Sequence, residues 1–175
     1  MSRLVGLALI ACSVIAMASY PPYVKKRLFA AKDERGKHAP EIVVEKWLTG
    51  HRPDTKGRVV LVDMWATWCG SCRELIPELN EWSTKFKKDL VVIGISDEDP
   101  DKVKRFMEKV PMNYNVGVDP KQRLEQELGV EAIPHVLVIT PDGIVRWQGW
   151  PGSQEDPLTT DKLSEILRQG TRALH

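Results

Sequence analysis

The sequence predicts an α/β fold, a three-layer α/β/α sandwich built around a mixed central sheet. Three observations support this fold class. Two short runs, Arg58–Met64 and Leu90–Ile95, are apolar on both faces, as expected of central strands that helices cover. Stretches with the apolar spacing of amphipathic helices lie between and after these runs. Late in the chain, Pro141-Asp142-Gly143 is typical of a hairpin turn, and a hairpin added to parallel pairs gives a mixed sheet.

An apolar segment at the N-terminus indicates export or membrane attachment. Leu4–Ser19 is apolar but short for a bilayer-spanning helix, which needs about 20 residues. A cleaved signal peptide is favoured, because Ala16-Met17-Ala18 fits a cleavage site. The alternatives are an uncleaved anchor within residues 1–24 and a lipoprotein signal at Leu9–Cys12. Lys25-Lys26-Arg27 opposes export, since positive charge tends to stay cytoplasmic, but we expect an extracytoplasmic protein, periplasmic or exported.

The rest of the chain divides into a linker and one domain. Residues 25–39 are charged and are expected to form the linker, and residues 40–170 the folded domain. The first half of this domain should contain an edge strand at Glu41–Glu45, the strand Arg58–Met64, a helix from Ser71 to about Lys87 with Pro77 inside it, and the strand Leu90–Ile95.

The second half of the domain begins with an amphipathic helix, since Val103, Phe106, Met107 and Val110 follow helical spacing. The elements expected after it are a strand at Val116–Val118, a helix at Lys121–Leu128, strands at Val136–Thr140 and Ile144–Gln148, and a closing helix around Leu163–Leu167.

Composition limits the function classes. The net charge of +1 gives no support for nucleic-acid binding. Of the three cysteines, Cys12 lies in the apolar segment, which leaves Cys69 and Cys72 as one close pair. Two cysteines with two residues between them indicate redox or metal chemistry. A structural zinc site is disfavoured, because the histidines at positions 38, 51, 135 and 175 provide no second ligand pair.

The placement of the pair favours redox chemistry. Cys69 falls where a buried strand gives way to a helix, so unpaired backbone N–H groups and the helix dipole stabilise a thiolate there. Cys72 lies one turn further on the same side and can close a disulfide. Cys69 is therefore expected to attack a substrate disulfide and Cys72 to resolve the mixed disulfide. Gly70 and Ser71 add little bulk between them.

The same residues carry a resemblance to a known family. Val60–Arg73, with Trp68-Cys69-Gly70-Ser71-Cys72 inside it and Pro77 beyond, resembles the active-site segment of thioredoxins. Gly129–Pro134 resembles that family's cis-proline loop opposite the cysteines. The helix and strand between Asp97 and Asp119 resemble the insertion of the extracytoplasmic TlpA/ResA/DsbE-like branch.

The resemblance covers roughly residues 37 to 170 and implies a thioredoxin-like fold with an inserted helix-strand segment. It also implies a thiol–disulfide oxidoreductase that needs no cofactor and no metal. The expected partners are protein substrates with disulfides or thiols and a membrane electron donor, with no nucleic acid. We expect a monomer that acts as a reductant, although the motif leaves the direction of exchange open.

Further site residues are assigned by position and by the resemblance. Asp63 interrupts an apolar strand, so burial should raise its pKa. The resemblance makes it the proton acceptor for Cys72, and the alternative is a strand-end residue bonded by the backbone. The resemblance also implies a cis bond at Pro134, which would expose the Ile133 backbone to a substrate segment. Trp68, which precedes the nucleophile, is expected to be functional surface.

Two residues should tune the pair. Ser71 stands where thioredoxin has proline, which by analogy makes the disulfide somewhat more oxidising. His135 follows the cis-proline, and an imidazolium near Cys69 would lower the pKa of the Cys69 thiol. The alternative is a histidine that fills the start of a strand.

Two other functions compete with disulfide exchange. Cys69, Cys72 and His135 could bind copper for delivery, although copper-delivering relatives have three residues between their cysteines and this chain has two. A peroxiredoxin-like peroxidase would need threonine at position 66, where this chain has Ala66, and ranks last.

Overall fold

The computed structural model describes residues 23–172. Apart from Tyr23 and Val24, the expected signal peptide or anchor, with its cleavage site and Cys12, therefore lies outside the described residues. Among the residues that are described, no helix combines the length and apolar character needed to cross a bilayer.

A six-stranded mixed sheet forms the centre of the molecule, as predicted, in the order β1-β4-β3-β2-β5-β6. Parallel pairs join β2 to β3 and β3 to β4, while the remaining pairs are antiparallel. The strands are β1 (Lys46–Trp47), β2 (Val59–Met64), β3 (Leu90–Ser96), β4 (Asn115–Val118), β5 (His135–Ile139) and β6 (Val145–Gly149).

Within residues 23–172, four helices cover the sheet and complete the three-layer sandwich. They are α1 (Gly70–Lys85), α2 (Pro100–Met107), α3 (Arg123–Leu128) and α4 (Thr160–Arg172). Helices α1, α2 and α4 bury Leu79, Val103 and Leu163 against one face, called the α1 face here. Helix α3 buries Leu124 and Leu128 against the other, the α3 face. Both faces of β2 and β3 are therefore covered, which explains their continuous apolar sequence.

The inserted helix-strand segment is present as α2 and β4. Asp99 starts α2, where its side chain accepts hydrogen bonds from the N–H groups of Asp101 and Lys102 at 2.9 and 3.2 Å, and Pro100 occupies the first turn. This segment places β4 beside β3 and supplies part of the core on the α1 face.

The predicted edge strand was misplaced. The alternating residues 41–45 form no ladder, and the short strand β1 comes just after them and pairs with β4. Ile42 and Val44 instead pack, partly buried, on the α3 face. Their alternation therefore reflects packing without strand pairing.

The segment expected to be a linker packs along the domain instead. Residues 23–39, called the N-terminal strap here, form isolated bridges with Val130, Ile144 and Val145. The strap amide of Gly36 donates to the carbonyl of Val145 at 2.8 Å, so the strap covers part of the outer edge of β6. Charged composition suggested a free linker, but the charged strap residue Lys26 has its side chain buried against Asp156.

Candidate active site

The cysteine pair lies at the junction between β2 and α1. Strand β2 is central and buried on both faces, so the loop that follows it is held firmly. Cys69 is the N-cap of α1, and its Sγ accepts a hydrogen bond from the Cys72 N–H at 3.1 Å. A sulfur at this position meets the positive end of the helix dipole, which stabilises a thiolate.

The two cysteines form a disulfide with their Cα atoms 5.3 Å apart. Cys69 is 5% exposed and Cys72 is 0% exposed, so only Cys69 can be reached from outside. The Ser71 Oγ lies 3.6 Å from the Cys69 sulfur, and its hydroxyl is the donor because a disulfide sulfur has no proton. This difference in access favours the predicted roles, with Cys69 as the attacking sulfur and Cys72 as the resolving one.

The loop before β5 lies beside Cys69. Because β5 pairs antiparallel with β2, it brings this loop to the edge of the sheet where α1 begins. The peptide bond between Ile133 and Pro134 is cis, and the Ile133 carbonyl oxygen lies 3.7 Å from the Cys69 sulfur. Trp68 is 68% exposed, and its role in binding substrate stays a prediction. Substrate backbone and substrate sulfur can therefore approach the same place.

Asp63 lies on the α1 face of the sheet, between Leu61 and Trp65 of the same core. It is 1% exposed, and burial raises its pKa to about 8. Its Oδ1 has no hydrogen-bond partner among the described residues, so nothing offsets the desolvation of the charged form. The carboxyl group is therefore mostly protonated at pH 7, and its ionised fraction, which alone can accept a proton, grows as the pH approaches 8.

Two further polar groups surround this carboxyl. Gly94 pairs directly with Asp63, and a Cβ on Gly94 would lie 3.0 Å from the Trp65 indole nitrogen and 3.2 Å from the Tyr114 ring. The indole N–H and the Tyr114 hydroxyl are both buried without a partner among the described residues. The charge of Asp63 also contributes to raising the pKa of Tyr114, after burial. Glycine at position 94 thus leaves the space that these two rings occupy.

His135 does not lie where sequence reasoning placed it. It pairs with Met64, which packs on the α3 face, so its ring is on the opposite side of the sheet from α1. The Gln148 side-chain amide donates to its Nε2 at 3.1 Å. Burial, followed by the charge of Lys26, lowers the pKa of His135 to about 4. The ring is neutral and lies on the face of the sheet opposite α1, so the structure does not support the predicted tuning of the Cys69 thiol.

The copper site predicted as an alternative is not assembled, because His135 points away from the cysteines. Residues 23–172 contain no group of three or more side chains of the metal-binding types placed to hold an ion. The donor set needed for two thiolates and one imidazole is therefore divided between the two faces of the sheet.

Sequence reasoning missed Glu98. Its carboxylate accepts from the Thr67 backbone N–H at 2.5 Å and from the Thr67 hydroxyl at 2.9 Å, and it pairs with Lys102 at 2.6 Å. Burial acts to raise the pKa of Glu98, but these bonds together outweigh it and lower the pKa below its ordinary value. Glu98 ties the loop before Cys69 to the end of β3. It lies in the polar stretch Asp97–Asp101, where no local sequence pattern singles it out.

A groove beside the disulfide was also missed. Its lining residues are Phe29, Ser71, Ala132, Ile133, Pro134 and Trp150, and it continues past Ser71 and Trp150 along Glu74, Glu78, Pro151 and Gly152. We call it the Trp150 groove. Phe29 has a φ of +57°, a left-handed conformation that costs a residue of this size roughly 1–3 kcal/mol. No local pattern in the sequence signals that the strap would deliver Phe29 to this site.

The arrangement defines a class of protein. The site combines the more exposed sulfur of a disulfide at a helix N-terminus, its buried partner sulfur and a cis-proline loop on a mixed sheet. These are the parts of a thioredoxin-fold thiol–disulfide oxidoreductase. The chain carries out exchange between its own dithiol and another disulfide.

Comparison with known proteins assigns the family. The AhpC/TSA family model matches residues 36–148, and the chain belongs to this family. A thiol-disulfide oxidoreductase ResA of Bacillus thuringiensis subsp. konkukian is 31% identical over 170 residues, covering 94% of this chain and 93% of the relative. A solved thiol:disulfide interchange protein DsbE from Chlorobium tepidum is 29% identical with a TM-score of 0.67, over 76% of this chain and 97% of that one. The TlpA/ResA/DsbE-like resemblance is confirmed.

Proposed function

We propose that the chain is an extracytoplasmic reductant of protein disulfides. The observation that carries this proposal is the Cys69–Cys72 disulfide, with an accessible sulfur at the start of α1 and a buried one behind it. The apolar N-terminal sequence and the relatives named as thiol-disulfide oxidoreductases support the compartment and the substrate class.

The reaction follows from the site. The Cys69 thiolate attacks one sulfur of a substrate disulfide, that bond breaks, and the other substrate sulfur leaves as a thiolate. Cys72 then loses its proton and attacks the Cys69 sulfur, which releases the second substrate thiolate. Two electrons pass from the dithiol to the substrate, and the chain is left with its own disulfide. A membrane-bound dithiol donor is proposed to reduce it again.

Asp63 is proposed to accept the proton of Cys72. A thiol has an ordinary pKa of about 8.5, and burial brings the pKa of Asp63 to about 8. Proton transfer between groups of similar pKa is close to balanced, which is the favourable case for general base catalysis near neutral pH. Asp63 and Cys72 are both buried on the α1 face of the sheet, which supports this role.

The reduction potential of the Cys69–Cys72 pair tests whether the chain reduces or oxidises its substrates. Equilibration with glutathione buffers is expected to give a value nearer the roughly −270 mV of thioredoxin than the roughly −120 mV of a strong oxidant. A value near the oxidant's would contradict the proposed role as a reductant. Cys72→Ser should accumulate a mixed disulfide with substrate protein, whereas Cys69→Ser should form none.

The compartment has its own test. In intact cells that express the full chain, a membrane-impermeant thiol reagent is expected to label Cys69 after mild reduction. Labelling that requires cell lysis would overturn the proposed location without affecting the chemistry.

A further inference from the structure

The Trp150 groove combines an aromatic wall with an acidic one. Phe29 and Trp150 line it near Pro134, and Trp150 remains 40% exposed. Glu74 and Glu78 lie one helical turn apart on α1 and line the continuation of the groove. The groove passes Ser71, so anything lying in it is next to the disulfide.

The acidic wall has no positive partner within the described chain. Neither Glu74 nor Glu78 forms an ion pair with any residue between 23 and 172. Burial, and then the charge of Glu81, raise the pKa of Glu78, so its charged form is less favourable here than that of a freely exposed glutamate. A positive charge placed beside Glu78 would stabilise its ionised form, so this wall of the groove favours a basic ligand.

The aromatic wall is held in place before any ligand arrives. Phe29 keeps its left-handed backbone because its carbonyl accepts the Glu131 N–H at 2.8 Å and the next strap residues bond to α3 and its end. Arg27 lies over the Phe29 ring at 4.5 Å. A strained residue persists where its surroundings determine its conformation, and such residues cluster at ligand sites.

We propose that the Trp150 groove is a specificity site for a substrate segment whose cysteine is flanked by an apolar side chain and by lysine or arginine. The apolar side chain packs between Phe29 and Trp150, and the basic side chain pairs with Glu74 and Glu78. This inference rests on the proposed function, because it assigns the substrate class of the same disulfide-exchange site.

The experiment uses reduced full-length protein and three peptides that differ only beside the cysteine. One carries leucine and arginine, one leucine and glutamate, and one two serines. Each cysteine bears thionitrobenzoate, so attack by Cys69 on the peptide sulfur breaks the mixed disulfide and releases a coloured thiolate. At low ionic strength the leucine–arginine peptide is expected to react about tenfold faster than the leucine–glutamate peptide, and salt should reduce this ratio.

Paired variants identify the wall responsible. Glu74→Gln with Glu78→Gln is expected to bring the arginine-to-glutamate rate ratio close to one. The control, Asp101→Asn with Glu108→Gln, removes the same charge from exposed sites on and just after α2 and should keep the wild-type ratio. Trp150→Ala should reduce the advantage of either leucine peptide over the serine peptide.

The outcomes separate this inference from the proposed function. Equal rates for all three peptides, or a ratio that the glutamate variants leave unchanged, would overturn the specificity site while leaving disulfide exchange intact. No reaction with any peptide would instead contradict the exchange activity itself. A dimer in ultracentrifugation that Trp150→Ala abolishes would assign the groove to a second copy of the chain and overturn the proposal.

Discussion

At the scale of single residues, Asp63 shows how position creates chemistry. An aspartate on the surface titrates near 4, whereas this one lies in a central strand without a hydrogen-bond partner for its Oδ1 among the described residues. The sequence predicted this burial because one acidic residue interrupts an apolar run. It could not predict Tyr114 and Trp65 as neighbours, because their approach depends on the missing side chain of Gly94.

The pKa of Asp63 makes stability depend on pH. The folded chain keeps a proton that the unfolded chain releases between pH 3.8 and about 8, so stability falls as pH rises through this window. The slope is at most about 1.4 kcal/mol per pH unit. Asp63→Asn should remove this pH dependence. Urea unfolding from pH 5 to 8 should therefore show the variant gaining stability relative to wild type. Parallel curves for the two proteins would contradict a neutral buried carboxyl.

The same substitution should slow catalysis. Without a proton acceptor for Cys72, Asp63→Asn is expected to lower the rate of substrate disulfide reduction at pH 7 by about 100-fold. Asp89→Asn, at an exposed site beyond the other end of α1, serves as the control and should change little. An unchanged pH–rate profile in Asp63→Asn would remove the proposed role.

Gly94 offers a test of the packing around Asp63. In Gly94→Ala the new methyl would press on the Trp65 indole and the Tyr114 ring at 3.0 and 3.2 Å, so we expect a loss of about 1–3 kcal/mol in unfolding free energy. Gly70→Ala is the matched control, since a Cβ there meets nothing within 4 Å. Equal stabilities of the two variants would show that the core on the α1 face rearranges to accommodate the added methyl group.

At the scale of elements, prediction succeeded where one local pattern decides the structure. The central strands, α1 and the late hairpin follow directly from apolar runs, helical spacing and turn residues. It failed for the strap and for β1, whose positions depend on distant partners. Lys26 illustrates the reason: its charge suggested solvent, but it lies 3.8 Å from the Trp147 ring centroid and pairs with Asp156 at 2.7 Å.

The buried pair at Lys26 predicts how the strap is held. Burial lowers the pKa of Lys26 to about 8 although Asp156 acts to raise it. Asp156→Asn leaves this charge without its partner and should cost about 3 kcal/mol at pH 7. The loss should shrink above pH 8, where the folded chain releases the lysine proton. Asp161→Asn, an exposed neighbour in α4, is the control, and an equal effect of both variants in urea unfolding would contradict the anchor.

At the scale of the whole molecule, the strap and the sandwich form one structure. Strap amides at Ala31, Gly36 and Ala39 donate to carbonyls of the domain at 2.8 Å each. We therefore expect these three amides to exchange hydrogen far more slowly than those of an exposed loop, since they open only when the strap separates from the domain. Exchange at the rate of an exposed loop would show instead that the strap detaches on its own.

If the apolar N-terminal segment is kept as an anchor, the packed strap would also limit the distance between the active site and the membrane. Only residues 20–22 separate the apolar run that ends at Ser19 from the first strap residue, Tyr23. Three residues span about 11 Å at full extension. In a form of the chain that keeps its anchor, this three-residue connection is therefore too short for the domain to move far from the bilayer surface. The disulfide would stay at a nearly constant height above the bilayer, and electron donors and substrates alike would have to offer their cysteines within that layer.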